Sequence, residues 1–158
     1  MKSVRDHFEM DHDRLDGLLS AFQNLKLTDF PSAKTNFKGF LFGLTRHIRW
    51  EEEVLFPLFE RKTGMRDMGP TEVMRQEHVL IKERLDSLHA KVRVGNPDCD
   101  AEVAALIDVL KAHNIKEERI LYPAIDHGLE PGELAAVEKA LESIPEQTSC
   151  GCGHAHAH

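Results

Sequence analysis

His47-Ile-Arg-Trp-Glu51-Glu-Glu-Val-Leu-Phe-Pro57 decides how this 158-residue chain is read. It sets a His and a Glu four residues apart, a spacing that puts both side chains on one helix face, one turn apart. The pattern returns as His113-Asn-Ile-Lys-Glu117-Glu-Arg-Ile-Leu-Tyr-Pro123. Each copy has a second Glu after the first and closes on Leu, an aromatic residue and Pro. The 66-residue shift that superposes the copies also lays His12 on His78, and Asp11 on Glu77 in character. The chain therefore reads as two helical hairpins. Each has a lone His on its first helix and His-x-x-x-Glu on its second. Packed about a pseudo-two-fold axis, they converge four His and two Glu on one interior.

The flanking sequence supplies the helices. Phe8, Leu15, Leu18, Leu19, Phe22 and Leu25 form a helical stripe from about Ser3, a plausible N-cap, to Leu25. Thr28-Asp-Phe-Pro31 breaks the chain, and Pro31 suits the first turn of a second helix. That helix runs to about Lys62, and Thr63-Gly64 stops it. Pro57 lies inside it and predicts a kink or an early end. A third helix opens at Gly69-Pro70-Thr71, carries Val73, Met74, Leu80, Ile81, Leu85 and Leu88, and ends near Gly95-Asn-Pro97. Asp98 or Asp100 caps a fourth, through Val103, Leu106, Ile107, Leu110 and Leu121. A short fifth runs from Glu130-Pro131 to about Ile144. No segment alternates as a strand does. The fold class is all-α: an up-down-up-down four-helix bundle over residues 1–144 with a short C-terminal helix.

Composition sets outer limits. The chain is 41% hydrophobic and 30% charged, as a soluble globular protein is, and its net charge of -7 argues against nucleic acid or an anionic membrane as partner. No apolar run approaches the roughly 20 residues that span a bilayer, and the N-terminus lacks the apolar stretch of a signal peptide. The expected compartment is the cytoplasm. Three cysteines do not make a disulfide framework.

The paired His and Glu lie on the buried stripes, between Leu44 and Leu55 in one half and Leu110 and Leu121 in the other. Carboxylates and imidazoles in an apolar seam are costly unless something pairs them. A metal does that for all six together. Imidazole and carboxylate without thiolate suit iron, manganese or zinc. Six ligands exceed what one tetrahedral zinc needs and fit two octahedral metals roughly 3.5–4 Å apart. If Glu51 and Glu117 each bridge, and the His divide evenly, an oxide or hydroxide bridge leaves one open position on each metal.

The order lone His, His-x-x-x-Glu, lone His, His-x-x-x-Glu resembles the hemerythrin-like (HHE cation-binding) proteins. The resemblance spans about Val4 to Asp126. It implies a four-helix bundle with a non-haem di-iron centre, oxo- or hydroxo-bridged, held by His12, His47, Glu51, His78, His113 and Glu117; manganese or zinc are the substitutes. Oxygen-carrying hemerythrins have a fifth His one turn before the lone His of the third helix, where this chain has Met74. They also place an Asp five residues after the fourth-helix His, where this chain has Glu117 after four. The pattern is similar to the four-His, two-Glu di-iron proteins associated with repair of iron centres and nitric oxide stress. Those proteins also share an N-terminal cysteine-bearing domain that this sequence does not show. The expected ligands are O2, NO or peroxide, in sensing or stress response. The alternatives are iron storage, delivery or repair with a protein partner, and reduction of peroxide or NO.

Three further readings complete the sequence. Asp11, Glu52, Glu77 and Glu118 are candidate partners for the ligand imidazoles. Tyr122, the only Tyr, is read as aromatic packing, as is Trp50. Residues 145–158 form a tail, and its Cys150-Gly-Cys152-Gly-His154-Ala-His156-Ala-His158 run reads as auxiliary metal capture.

Overall fold

The computed structural model describes residues 1–147. Among them every regular element is helical: α1 (Val4–Leu25), α2 (Phe30–Trp50), α3 (Phe56–Thr63), α4 (Pro70–Arg93), α5 (Asp100–Lys116), α6 (Tyr122–Gly128) and α7 (Glu133–Glu142). A π-helical turn at Glu51–Leu55 joins α2 to α3, and another at Glu117–Leu121 joins α5 to α6. Four long rods thus form the bundle and α7 packs at one end. No helix is long and apolar enough to cross a membrane.

Local chemistry sets the ends. Ser3 Oγ accepts the Asp6 N–H at 2.9 Å, and the Asp126 carboxylate accepts the N–H groups of Val4 and Arg5 at 2.8 and 3.0 Å. Three N–H groups left open by the first turn of α1 are thereby satisfied, two of them by α6. Asp29 caps α2, with Pro31 in the first turn. Gly64 takes the left-handed conformation (φ 75°) that ends α3, and its N–H reaches the Glu60 carbonyl. Buried Glu60 then accepts from Thr71 Oγ1 at 2.7 Å and from Arg75, which ties α3 to the first turns of α4.

Around Pro57, where the sequence suggests a kink or an early end, the helical run continues to Thr63 through a π turn, and the run around Pro123 continues likewise to Gly128. In each rod an i→i+5 hydrogen bond, from Phe56 N–H to the Glu51 carbonyl and from Tyr122 N–H to the Glu117 carbonyl, widens the turn just before the proline. Pro57 and Pro123 then occupy a first turn, where a missing N–H costs little. The wider turn has a second effect. Residues four apart overshoot a 3.6-residue turn by about 40° at each step. Letting the ring expand takes back that drift, so Glu51, Leu55 and Phe56 are all buried, as are Glu117, Leu121 and Tyr122.

The apolar core comes in two parts. One includes Leu15, Leu44, Ile81 and Leu110; the other includes Phe8, Leu55, Phe56, Met74, Leu121 and Tyr122. On three of the long rods the break falls at a His, namely His12, His78 and His113, and on α2 it falls just past His47, between Ile48 and Trp50. A polar layer thus crosses the bundle at one level. Trp50 Nε1–H donates to the Leu141 carbonyl at 3.1 Å and docks α7 over the second part.

Some boundaries differ from the sequence expectation. Cys99, not Asp98 or Asp100, is the N-cap of α5, because Asp100 turns to pair with the buried Lys26 at the end of α1. The fifth helix starts at Glu133, after Gly132 at φ 87°, rather than at Glu130. Val73 and Ile107, counted in the apolar stripes, are exposed.

Candidate metal centre

His12 comes from α1, His47 from α2, His78 from α4 and His113 from α5. Glu51 and Glu117 come from the two π turns. All six are buried, and both carboxylates are fully sealed from solvent. The structure therefore brings together every residue expected at the centre.

Each imidazole is gripped on its outer edge by a carboxylate. His47 Nδ1 lies 2.8 Å from Asp11, His113 Nδ1 2.8 Å from Glu77, His78 Nδ1 2.6 Å from Glu52 and His12 Nδ1 2.6 Å from Glu118. The pattern obeys the repeat. The residue before each lone His holds the other His of its own hairpin, and the residue after each interior Glu holds the lone His of the opposite hairpin. A carboxylate on Nδ1 fixes a donating N–H there and leaves Nε2 as the inward-facing ligand atom.

The inner edges converge on the two Glu. His47 Nε2 and His78 Nε2 lie 3.5 and 3.0 Å from Glu51, and His12 Nε2 and His113 Nε2 lie 3.3 and 3.0 Å from Glu117. The His pair off by ring as well, His12 with His47 at 4.6 Å between centroids and His78 with His113 at 5.0 Å. Ligand atoms of Glu51, His78, His113 and Glu117 all lie within 4.8 Å of one another, and those of His12, His47 and Glu117 do too. Glu117 thus belongs to both groups.

Without a cation this array is frustrated. Neutral imidazoles would turn lone pairs toward carboxylate oxygens, and the nearby cations Arg14 and Lys116 pair with the outer carboxylates Asp11 and Glu77. Protons fill the need. Burial lowers the His47 imidazole, but Glu51 and Asp11 outweigh it and hold it up at about 10. His78, with the same opposition of burial against Glu51 and Glu52, sits at about 9. His113 is raised by Glu117 against its own burial. Glu51 is held well below the usual carboxylate range because its Glu117, His47 and His78 hydrogen bonds override the penalty of burial. Glu117 Oε2 still makes no hydrogen bond, although His113 Nε2 is 3.0 Å away. A metal ion in place of these protons satisfies all six groups. Among the described residues the donor set contains no sulfur, since Cys99 lies in the far part of the core. The residues fit iron.

Tyr122 is the residue whose reading changes. It packs on Phe8 as expected, but its hydroxyl also reaches the layer, 2.5 Å from Glu51 Oε2, 2.8 Å from Glu117 Oε1, 3.3 Å from His47 Nε2 and 3.4 Å from His12 Nε2. Burial and the two carboxylates push the phenol well above its ordinary value, so it stays protonated and donates. Its repeat counterpart Phe56 stacks on His78 and offers no polar atom. The two halves of the site therefore differ by one hydroxyl, on the His12/His47 side.

A hemerythrin HHE cation binding domain matches residues 3–125. The chain belongs to that family. Among hemerythrin-like relatives, an uncharacterized hemerythrin-like protein of Schizosaccharomyces pombe is 27% identical over 143 residues, covering 90% of this chain and 68% of its own length. The iron-sulfur cluster repair proteins YtfE of Enterobacter sp. (strain 638) and Escherichia coli O81 are each 32% identical over 89 residues, 51% of this chain and 40% of theirs. The chain thus spans less than half the length of those repair proteins. No solved structure matches. The family is described as cation-binding, and the buried layer gathers side chains that could hold a metal ion.

The remaining candidates fall outside the layer. Glu53 is exposed and pairs with Arg49. His7 packs against Trp50, and His127 is exposed. The Cys150 to His158 run lies outside the described residues. A cavity of about 610 Å3 opens between α1 and α5, lined by Asp16, Leu19, Gln23, Leu110 and Glu118 among others. Glu118, the carboxylate that grips His12, is one of its lining residues.

Proposed function

We propose that this chain is a non-haem di-iron protein that binds O2, NO or a related small oxidant in sensing or stress response in the cytoplasm. His12 and His47 would hold one iron and His78 and His113 the other, with Glu51 and Glu117 shared between them. The observation that carries this reading is the double grip on each imidazole: a carboxylate on Nδ1, and a shared carboxylate facing Nε2. Such outer partners orient a ligand and raise its basicity. Bound iron would supply a redox-active Lewis acid with positions open to a small molecule.

The chain's own residues define the surroundings. Phe8, Phe56, Leu55 and Leu121 close one side of the layer with apolar surface and exclude water there. Met74 occupies the third-helix position where an oxygen carrier has a fifth His, and it adds thioether bulk in place of a nitrogen donor. Tyr122 holds a proton within reach of Glu51 and Glu117. The cavity between α1 and α5 supports an approach to the His12 side.

Metal analysis of the purified protein with its optical spectrum tests the reading. Two irons per chain with visible absorption are expected; one zinc and no visible absorption would overturn it. A second reading, iron-centre repair or iron delivery, is favoured by the similarity to proteins named for iron-sulfur cluster repair. Stopped-flow mixing with NO separates the two: a stable, reversible adduct supports ligand binding, whereas transfer of iron to an apo acceptor without such an adduct supports delivery.

A further inference from the structure

The two interior carboxylates divide their oxygens between two donor sets. Glu51 Oε2 lies 3.5 Å from His47 Nε2, and Glu117 Oε1 lies 3.3 Å from His12 Nε2. Glu51 Oε1 lies 3.0 Å from His78 Nε2, and Glu117 Oε2 lies 3.0 Å from His113 Nε2. Each set thus holds two imidazole nitrogens and one oxygen from each Glu. The sets are not equal. In the second, Glu117 Oε2 makes no hydrogen bond. The first has a fifth polar atom within reach of all four, the hydroxyl oxygen of Tyr122. It stands 2.5 and 2.8 Å from the two carboxylate oxygens and 3.3 and 3.4 Å from the two imidazole nitrogens.

Hydrogen bonding alone does not account for that placement. A phenol has one proton to donate. In the tautomer that suits a metal, with the N–H at Nδ1 held by Asp11 or Glu118, both Nε2 atoms are acceptors as well. One proton then faces four acceptors. The ring is also held in place. Tyr122 is completely buried, packs on Phe8 with 5.1 Å between centroids, and directly follows the π turn that carries Glu117. A first-row cation such as zinc bonds nitrogen and oxygen at about 2.0–2.2 Å. An ion seated among those four atoms has the Tyr122 oxygen beside it, and it turns a contact short of protons into a bond. Phe56, at the matching position of the repeat, offers the second set only its ring, stacked on His78.

We propose that Tyr122 Oη is a further protein ligand, bound as phenolate to the iron on the His12 and His47 side. The inference rests on the iron reading above and deepens it. A ferric ion supplies the positive charge that the metal-free layer lacks, and tyrosine is a ligand of haem iron elsewhere. The phenol gives its proton to solvent as its oxygen–iron bond forms, and no electron changes hands in that step. The two irons are then inequivalent, one with a phenolate and one without, although the spacing of the six His and Glu ligands is the same in both halves.

The test loads the full chain with iron in air and compares wild type with Tyr122→Phe. Wild type should show phenolate-to-iron charge-transfer absorption in the visible and, on excitation in that band, phenolate ring modes in the resonance Raman spectrum. Tyr122 is the only Tyr in the chain, so such modes report this residue alone. Tyr122→Phe should lose both signals while keeping two irons per chain and its helical circular dichroism. If that variant does not fold, wild type grown on ring-deuterated tyrosine takes its place, and the modes should shift. Two irons per chain without phenolate modes in wild type, modes that survive in Tyr122→Phe, or modes that ignore the deuterium overturn the proposal and leave the iron reading standing. A chain that takes up no iron overturns both.

Discussion

Raising the pH on the metal-free protein should destabilise it, and the structure gives the sign and the size. His47 sits at about 10 and His78 at about 9, both above the 6.5 of an unfolded chain. A raised imidazole contributes stability that is complete below 6.5 and is lost as pH climbs through its folded value. The acid side does not interfere. Glu51 and Asp11 are depressed, so their contribution is lost only as pH falls below the carboxylate range. Tyr122 is raised above 10, so it keeps its proton through the window. Between pH 7 and 8.5 the folded state thus holds about two protons that the unfolded chain has released. At about 1.4 kcal/mol per proton and pH unit, the loss is about 4 kcal/mol. That is a large part of the 5–15 kcal/mol of a typical domain, and it moves a urea midpoint by on the order of 2 M. Urea titrations of chelator-treated protein at pH 7.0, 7.75 and 8.5 read this directly. A midpoint that stays level or rises across the series refutes the protonated-imidazole account. Protein refilled with iron should be nearly level over the same range, because metal then does what the protons did.

Other perturbations separate the roles of the site residues. Tyr122→Phe should keep the fold and the ring packing but remove the donor from two buried carboxylates, costing about 1–3 kcal/mol in the metal-free protein; equal midpoints for the two proteins would show that the hydroxyl is idle. Glu118→Gln should weaken metal retention by roughly 10–100-fold in a chelator competition, as loss of an outer partner does elsewhere, while leaving the helical signal intact. His113→Ala should lose metal and loosen the bundle, and a variant that retains two metals by elemental analysis would remove His113 from the ligand set. Gly43→Ala should break the Arg14–Glu146 contact by steric pressure, which a lowered melting temperature with unchanged metal content would report.

The site was legible because it is written twice. One His-x-x-x-Glu is a common accident, but matched spacing at His12 and His78 left little room for chance. Period alone placed all six buried groups, and the residues adjacent in sequence supplied all four outer carboxylates. What the sequence hid is three-dimensional. Tyr122 and Phe56 look alike as aromatic neighbours of a proline, and only packing puts one hydroxyl against Glu51. Asp98 or Asp100 looked like the cap of α5, because nothing local shows Lys26 arriving from the end of α1 to claim the Asp100 carboxylate. Pro57 looked like a break because the rule for proline assumes an α-helical ring, whereas the helical run passes it through a π turn.

Those π turns also explain why the ligand spacing is four and not three. His47, Glu51 and Leu55 must all face inward on one rod, and so must His113, Glu117 and Leu121. A regular helix would swing the third member off the seam. Expanding the ring at the Glu keeps the seam aligned, and the proline two residues past the turn has no N–H to donate to a tighter ring. The proline and the interior Glu are therefore one device, repeated in each hairpin. The outer carboxylates then lock the hairpins together, because Glu52 and Glu118 each reach across to the other half. Metal loading and bundle closure draw on the same eight polar contacts, so a change that loosens one should loosen the other.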